Sequence, residues 1–398
     1  MSKVIPYGKQ SITEEDIQTV IEALKSDFLT QGPRILDFEQ KFAQYIGCKY
    51  AVAVANGTAA LHLSTMALGV NPGDKVITAP ITFAASANSV RYCGGEVVFS
   101  DIDPLTYLLD HEKVRKLLAA SPKGTYKGII PIDFAGRAVN LEQFRELADE
   151  YGCWILEDAC HAPGGYFVDK QGVRQKCGNG KFAELAIFSF HPVKHIASGE
   201  GGMITTNNEE LYEKLLTLRT HGITRDNGAF INNASFASGT EVSQGQYPGW
   251  YMEMQTLGFN YRLTDFQAAL GSSQLKRADE GLVRRREIAA LYEKTFKDKS
   301  FIKGQSKVVD GHAYHLYIIE VPDRLGLYNY LREHKIYAQI HYIPVHLMPY
   351  YKQFGWKEGD FPMAENYYKY CISLPMFPAL MKEEQNFVIE TILNFYGK

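Results

Sequence analysis

No run of about 18 consecutive apolar residues occurs in the 398-residue chain, so nothing in it reads as a membrane-spanning helix. The opening Met1–Gln10 lacks the apolar core of a secretory signal, and the expected location is the cytoplasm. The six cysteines (Cys48, Cys93, Cys153, Cys160, Cys177, Cys371) include no C-x-x-C pair. That argues against a zinc ribbon or a dithiol redox centre and for free thiols in a reducing compartment. Neither sign of charge dominates: 42 basic residues face 45 acidic ones, for a net charge of -3. A nucleic acid or a membrane surface therefore finds no strong electrostatic handle. Internal repeats and low-complexity tracts are also missing. What remains is an ordinary globular composition, long enough for a large domain with a smaller one appended.

The apolar residues are patterned. Thr13 followed by Glu14, Glu15 and Asp16 reads as a helix N-cap with an acidic first turn, with Ile17, Val20, Ile21 and Leu24 at helical spacing. A second helix is expected from Ile35 to Ile46, closed by Gly47. Short apolar runs follow at Ala51–Ala55, Lys75–Ala79, Glu96–Ser100, Gly128–Ile132, Trp154–Glu157, Leu185–Phe190 and Gly202–Thr205, with helical stretches such as Leu141–Tyr151 between them. This alternation predicts an α/β fold with a mostly parallel seven-stranded sheet covered by helices. Residues 225–257 have no periodicity and are expected to be a loop insertion. Helices are expected from Leu263 to Gln274 and on to Phe296. Beyond them a strand at His315–Val321, a helix at Leu325–His334 and a strand at Tyr337–Ile343 suggest a small α+β domain. The expected division is 1–265, an N-terminal arm and large domain, and 266–398, the small domain.

In an open α/β sheet, ligands collect outside the carboxyl ends of the strands, and three motifs fall there. Asn56-Gly57-Thr58 turns from a strand into a helix, where backbone N–H groups and the helix dipole favour an anion. Alone it is a weak signal, and simply a tight turn is then the favoured reading. Glu157-Asp158-Ala159-Cys160-His161 places an acidic pair at a strand end, suited to a metal, a histidine or a cationic ring nitrogen, and equally to a helix cap. Ser189-Phe190-His191-Pro192-Val193-Lys194 leads into a glycine-rich return at Gly199-Glu200-Gly201-Gly202. A lysine held in so constrained a loop can be desolvated and made nucleophilic. His341 and His346 lie five apart, but no acidic or cysteine ligand accompanies them at metal-site spacing. No metal site is expected there.

Together these motifs resemble the DegT/StrS-type family of sugar aminotransferases. The likeness continues at Phe28–Pro33, Pro80–Ala85, Gly258–Asp265 and Gln339–His346, in the family's order and over nearly the whole chain. It implies an aspartate-aminotransferase-like fold and pyridoxal 5'-phosphate as cofactor, with pyridoxamine 5'-phosphate as its other form. Residue by residue it implies that Lys194 makes the Schiff base and shuttles the proton. Asp158 pairs with the pyridine nitrogen, Phe83 stacks on the ring, and His161 lies against the ring or its hydroxyl. Gly57, Thr58 and Ser189 bind the phosphate, and Asn260 reaches the phosphate of a neighbouring subunit in a homodimer with shared sites. Tyr7, Leu29, Thr30 and Gln339, Ile340, His341 and Tyr342 match positions lining a nucleotide-sugar pocket. The resemblance is strongest to the aminotransferases of pseudaminic acid biosynthesis, which aminate the C4 ketone of a UDP-linked 4-keto-6-deoxy sugar with glutamate as the expected donor. Other GDP- or dTDP-keto sugars, or a non-catalytic regulator on the same fold, are the alternatives. The related sugar 3-dehydratases replace the lysine by histidine, and this chain keeps Lys194. Departures from the family pattern are Ala197-Ser198 in place of Thr-Thr and His195 in place of Asn or Pro.

Overall fold

The computed structural model describes residues 4–241, 246–304 and 308–397. Its centre is a seven-stranded sheet in the spatial order Tyr50–Val54, Gly202–Thr206, Leu185–Ser189, Trp154–Asp158, Tyr126–Ile130, Lys75–Thr78, Glu96–Phe99. All neighbours pair in parallel except Gly202–Thr206, which runs antiparallel to both of its partners. The strands are short and rich in Val and Ile because helices cover both faces, so inward and outward positions alike are apolar. Val52, Val76, Ile77, Ile129, Ile155, Leu185 and Ile187 are fully buried in one core with Leu61, Leu63 and Phe144 from the covering helices.

Local chemistry sets the helix ends. Thr13 caps the helix Glu14–Leu24 in a full capping box with Asp16. The next helix starts at Pro33, two residues before the expected Ile35, because proline is pre-set for the first helical turn. It ends at Gly47, whose φ of 88° suits glycine alone. Phe38 and Phe42 of this helix pack with Phe188 and Phe190, directly under the strand end that carries Ser189.

A second core gathers Ile288, Tyr292, Leu327, Leu331, Ile336, Val388 and Ile392 around the antiparallel strands Lys303–Gly304, Tyr317–Glu320 and Cys371–Leu374. Ile5 belongs to this core as well. Ile5–Pro6 pairs in parallel with Ile336–Tyr337, so residues from opposite ends of the sequence share a ribbon. The division at residue 265 stays a proposal. Ala268, Leu275, Ala278 and Leu282, just beyond it, share the core of Phe38.

Two regions differ from the sequence reading. The strand expected over Tyr337–Ile343 pairs only at Ile336–Tyr337, with one further bridge from Gln339 to Ser373. The chain then turns away, with the Tyr367 hydroxyl donating to the His341 carbonyl at 2.5 Å. The stretch 225–257 is not wholly irregular. Ile223–Thr224 pairs with Glu253–Met254, a short helix spans Ala234–Ser238, and Phe230, Tyr247 and Tyr251 form a ring cluster. The buried Glu253 carboxylate anchors it by accepting from the N–H groups of Ile231 and Asn232 and the Tyr251 hydroxyl. Residues 242–245 of this stretch lie outside the described residues.

Candidate active site

A cavity of about 460 Å³ opens at the carboxyl ends of the central strands. Among its lining residues are Tyr7, Gly57, Thr58, Phe83, Asp158, His161, Ser189, Lys194, His341 and Tyr342, all candidates from the sequence.

One wall is an anion cradle. Gly57 and Thr58 open the helix Gly57–Ala67, where first-turn amides have no partner within the helix. Asn56 caps it by accepting from the Ala59 N–H at 2.8 Å, which leaves the two preceding amides at the positive end of the dipole. A Cβ on Gly57 would stand 3.0 Å from the Ser189 Cβ and 3.3 Å from its Oγ, so glycine is what brings backbone and hydroxyl together.

Asp158 ends its strand only 6% exposed. Its carboxylate accepts the Ser86 hydroxyl at 2.7 Å and the Cys160 N–H at 3.2 Å. Ser86 spends its one proton on Asp158, so Thr82, 2.8 Å away, must donate to Ser86 in turn. No ion pair to Asp158 is present among the described residues, and a carboxyl so buried is best satisfied by a cationic partner.

Lys194 sits in a loop tied shut at both ends: Phe190 N–H donates to Gly201 O, Ser198 N–H to Phe190 O, and Lys194 N–H to His191 O. Burial lowers the affinity of its amine for a proton. Cys160 and Asp158 pull the other way, and the Arg285 guanidinium adds to the lowering. A nucleophilic amine needs that depression. Burial drives the Cys160 thiol well above its ordinary range, so it stays protonated beside the lysine.

His161 has its tautomer fixed by its partners. Its Nδ1 accepts the Ala135 N–H at 3.2 Å, so its proton is on Nε2, directed at the Tyr342 hydroxyl 3.3 Å away. Tyr342 therefore keeps its own proton to offer to the cavity. Burial pushes the His161 imidazolium well below its usual range and raises the Tyr342 phenol, so both rings are neutral. Tyr7 lies against His341, with ring centroids 5.1 Å apart, and His341 Nδ1 meets the Ser373 hydroxyl at 2.9 Å. Phe83 is 62% exposed at the rim, 6.1 Å from the Tyr342 ring.

The remaining candidates lie elsewhere in this chain. Asn260 is exposed and bridges Thr220. Leu29 and Thr30 are exposed, Thr30 bridging Thr264. Gln339 is exposed beside Ser373, and Ile340 packs between the two cores. His346 pairs with Glu365 at 3.0 Å, remote from His341 in role. Sequence reasoning missed Ser86, which stands three residues past Phe83 on one helix face, and His315, whose ring centroid is 4.2 Å from that of His161. Only the spacing from Phe83 hinted at the first; nothing hinted at the second.

Residues 10–393 match the model of the DegT/DnrJ/EryC1/StrS aminotransferase family. The chain belongs to this family. Relatives match over nearly their full length. A spore coat polysaccharide biosynthesis protein, SpsC of Bacillus subtilis, is 39% identical over 98% of this chain and 96% of its own. A UDP-4-amino-4,6-dideoxy-N-acetyl-beta-L-altrosamine transaminase of Campylobacter jejuni is 34% identical over 99% of this chain and 98% of its own. Among solved structures, Helicobacter pylori PseC, an aminotransferase involved in the biosynthesis of pseudoaminic acid, superposes with a TM-score of 0.87 at 30% identity, covering 99% of both chains. A putative sugar aminotransferase from Streptococcus pneumoniae, Spr1654 in its PMP form, gives 0.86 at 28% identity over 98% of both chains. The mixed α/β architecture is thus that of the family's aminotransferases, and the chain is an aminotransferase. Among the described residues no helix is long and apolar enough to cross a membrane.

Proposed function

We propose that this aminotransferase uses pyridoxal phosphate to move the amino group of glutamate to the C4 ketone of a UDP-4-keto-6-deoxy-N-acetylhexosamine, the step found in pseudaminic acid biosynthesis. The observation that carries the cofactor is the set facing one cavity: the Lys194 amine, an unpaired buried Asp158 carboxylate and the Gly57–Thr58–Ser189 anion cradle. These are the partners that the aldehyde, ring nitrogen and phosphate of pyridoxal phosphate need: an amine, an acceptor and a set of donors. When bound, that group supplies a conjugated cationic ring that stabilises negative charge at the reacting carbon.

The chain's own residues do the rest. Asp158, held by Ser86 and Cys160, keeps a proton at the ring nitrogen. Lys194 Nζ, whose proton affinity burial lowers, would carry the proton between the carbon of each substrate and the cofactor carbon to which that substrate is joined. Tyr7, His341 and Tyr342 close the cavity against water, and the Tyr342 hydroxyl is a free donor for a sugar oxygen. We assign Asn260, Leu29, Thr30 and Gln339–Ile340 to a site shared across a homodimer, because all are away from the cavity of their own subunit. The exposed apolar side chains of Phe28, Leu29 and Leu257, 53%, 51% and 67% exposed, suit burial by a second copy. The substrate assignment rests on the altrosamine transaminase and PseC relatives.

The test is an absorbance titration of wild type and Lys194→Ala with pyridoxal phosphate, then glutamate, then a panel of UDP-, GDP- and dTDP-linked keto sugars. A visible band that requires Lys194, bleached by glutamate and restored best by the UDP-linked 4-keto sugar, is expected. Restoration by a GDP- or dTDP-sugar alone overturns the substrate. Absence of a lysine-dependent band overturns the cofactor role and favours a ligand-binding regulator.

A further inference from the structure

Behind Asp158, on the opposite side of its strand, lies a group of side chains that none of the chemistry above uses. Asp133, Glu157 and Cys177 are all buried, and their ligand atoms fall within 4.8 Å of one another. Asp133 is 0% and Glu157 2% exposed. One oxygen of each carboxyl is accounted for: Asp133 Oδ1 accepts the Val139 N–H at 2.8 Å, and Glu157 Oε2 accepts the Gly178 N–H at 2.9 Å. Asp133 Oδ2 is buried and takes no hydrogen bond from any backbone N–H; the side chains within its reach are Glu157 and the Cys177 thiol. Neither carboxyl has an ion pair among the described residues. The groups facing them are each other, the Cys177 thiol from the neighbouring strand connection and, across the strand, Asp158; none of these carries positive charge. Two carboxylates so placed cannot both be charged, and Asp133 Oδ2 marks where a donor is required.

We propose that Asp133 and Glu157 share a single proton, forming a hydrogen-bonded strut that positions Asp158 and His161. The connections are direct. Asp133 N–H donates to Asp158 O, and Asp158 N–H to Pro131 O. The Asp133 carboxyl also pins the turn Phe134–Gly136 through Val139, and the Ala135 N–H of that turn fixes the tautomer of His161. Ala135 has a φ of 59°, a left-handed conformation that an alanine adopts only when its surroundings impose it. Glu157 and Asp133 are thus positioning residues, acting through backbone and imidazole rather than touching substrate. Burial and mutual repulsion raise the proton affinity of both.

A pair that releases its proton at higher pH when folded than when unfolded gives full stability below the ordinary carboxylate range. That stability is lost as pH rises through the folded value. Glu157→Gln replaces the shared proton with an amide N–H aimed at Asp133 Oδ2 and is indifferent to pH; Asp133→Asn does the same from the other side. Infrared spectra of the wild type at neutral pH are expected to show a protonated-carboxyl carbonyl band that Glu157→Gln removes. Melting curves from pH 5 to 9 are expected to show wild type falling behind Glu157→Gln by on the order of 2 °C per pH unit until release is complete. Pyridoxal phosphate affinity is expected to weaken at alkaline pH in wild type and not in the variant. No such band, parallel melting profiles in both variants, or a stoichiometric metal in the purified protein overturns the proposal. The infrared and melting readouts stand whether or not the substrate assignment does.

Discussion

Gly202 opens the antiparallel strand between Val54 and Ser189, facing both residues that lead into the anion cradle. A Cβ there would stand 2.5 Å from the Asn56 carbonyl oxygen, 2.6 Å from its carbon and 3.0 Å from Gly57 N. Every one of these atoms is backbone, so no rotamer change relieves the clash and the Asn56–Gly57 turn itself must move. Overpacking of this kind costs about 1–3 kcal/mol. Because the atoms displaced are those offered to the phosphate, Gly202→Ala is expected to weaken pyridoxal phosphate binding roughly 10- to 100-fold, the equivalent of about 1.4–2.8 kcal/mol. Gly152→Ala is the control. Its φ of 75° strains alanine by about 1–2 kcal/mol, but a Cβ there meets nothing within 4 Å and the helix end is remote from the cavity. Urea unfolding of the cofactor-free proteins, paired with cofactor titration, separates the two effects. Gly202→Ala should lose both stability and affinity; Gly152→Ala should lose stability alone. Wild-type affinity in Gly202→Ala would refute the Asn56–Gly57 turn as the phosphate cradle.

Tyr342→Phe removes the hydroxyl proton that His161 leaves free for the cavity; it should raise KM for the sugar about tenfold, the worth of one hydrogen bond, with kcat nearly unchanged. Steady-state kinetics decide it, and a fall in kcat alone would mean the hydroxyl serves the chemical step. The protein should also be acid-labile below pH 6.5. Burial pushes His341 down to about 3, and His161, His195, His312 and His315 well below their usual range. These depressed values give stability that is complete above the unfolded value of 6.5 and is lost as pH falls towards the folded values. Melting temperatures measured from pH 8 to 4 should drop steeply, and a flat profile would show that these rings are reached by solvent.

The seven strands were legible in the sequence because a strand buried on both faces must be a short apolar run, and the three motifs because they sit where those runs end. The reversed direction of Gly202–Thr206 was not foreseen. Its composition matches its parallel neighbours, and the Phe190–Gly201 return gives no helical pattern; it folds as a loop closed by the Phe190 N–H to Gly201 O and Ser198 N–H to Phe190 O bonds, which turns the chain straight back. Tyr337–Ile343 has the alternation of a strand, yet after Tyr337 its backbone bonds go to Ser373 and Tyr367 instead, swinging His341 and Tyr342 into the cavity. Ser86 and His315 are ordinary residues in ordinary segments; what makes them part of the site is a neighbour far away in sequence. The same limit hid the Asp133–Glu157 pair, although Glu157 itself stands in the most recognisable motif of the chain.

The pairing of Ile5–Pro6 with Ile336–Tyr337 has a consequence for how the protein is made. Tyr7 is held by the Met376 N–H donating to its carbonyl and by the ring of His341, so this wall of the cavity joins a segment made before the large sheet to segments made after it. The sheet, the lysine loop and the anion cradle can all assemble while synthesis continues, but the roof cannot. Until residues near 376 emerge, the nascent chain carries an open pocket, and a ribosome stalled before that point would display the reactive lysine with nothing to cover it.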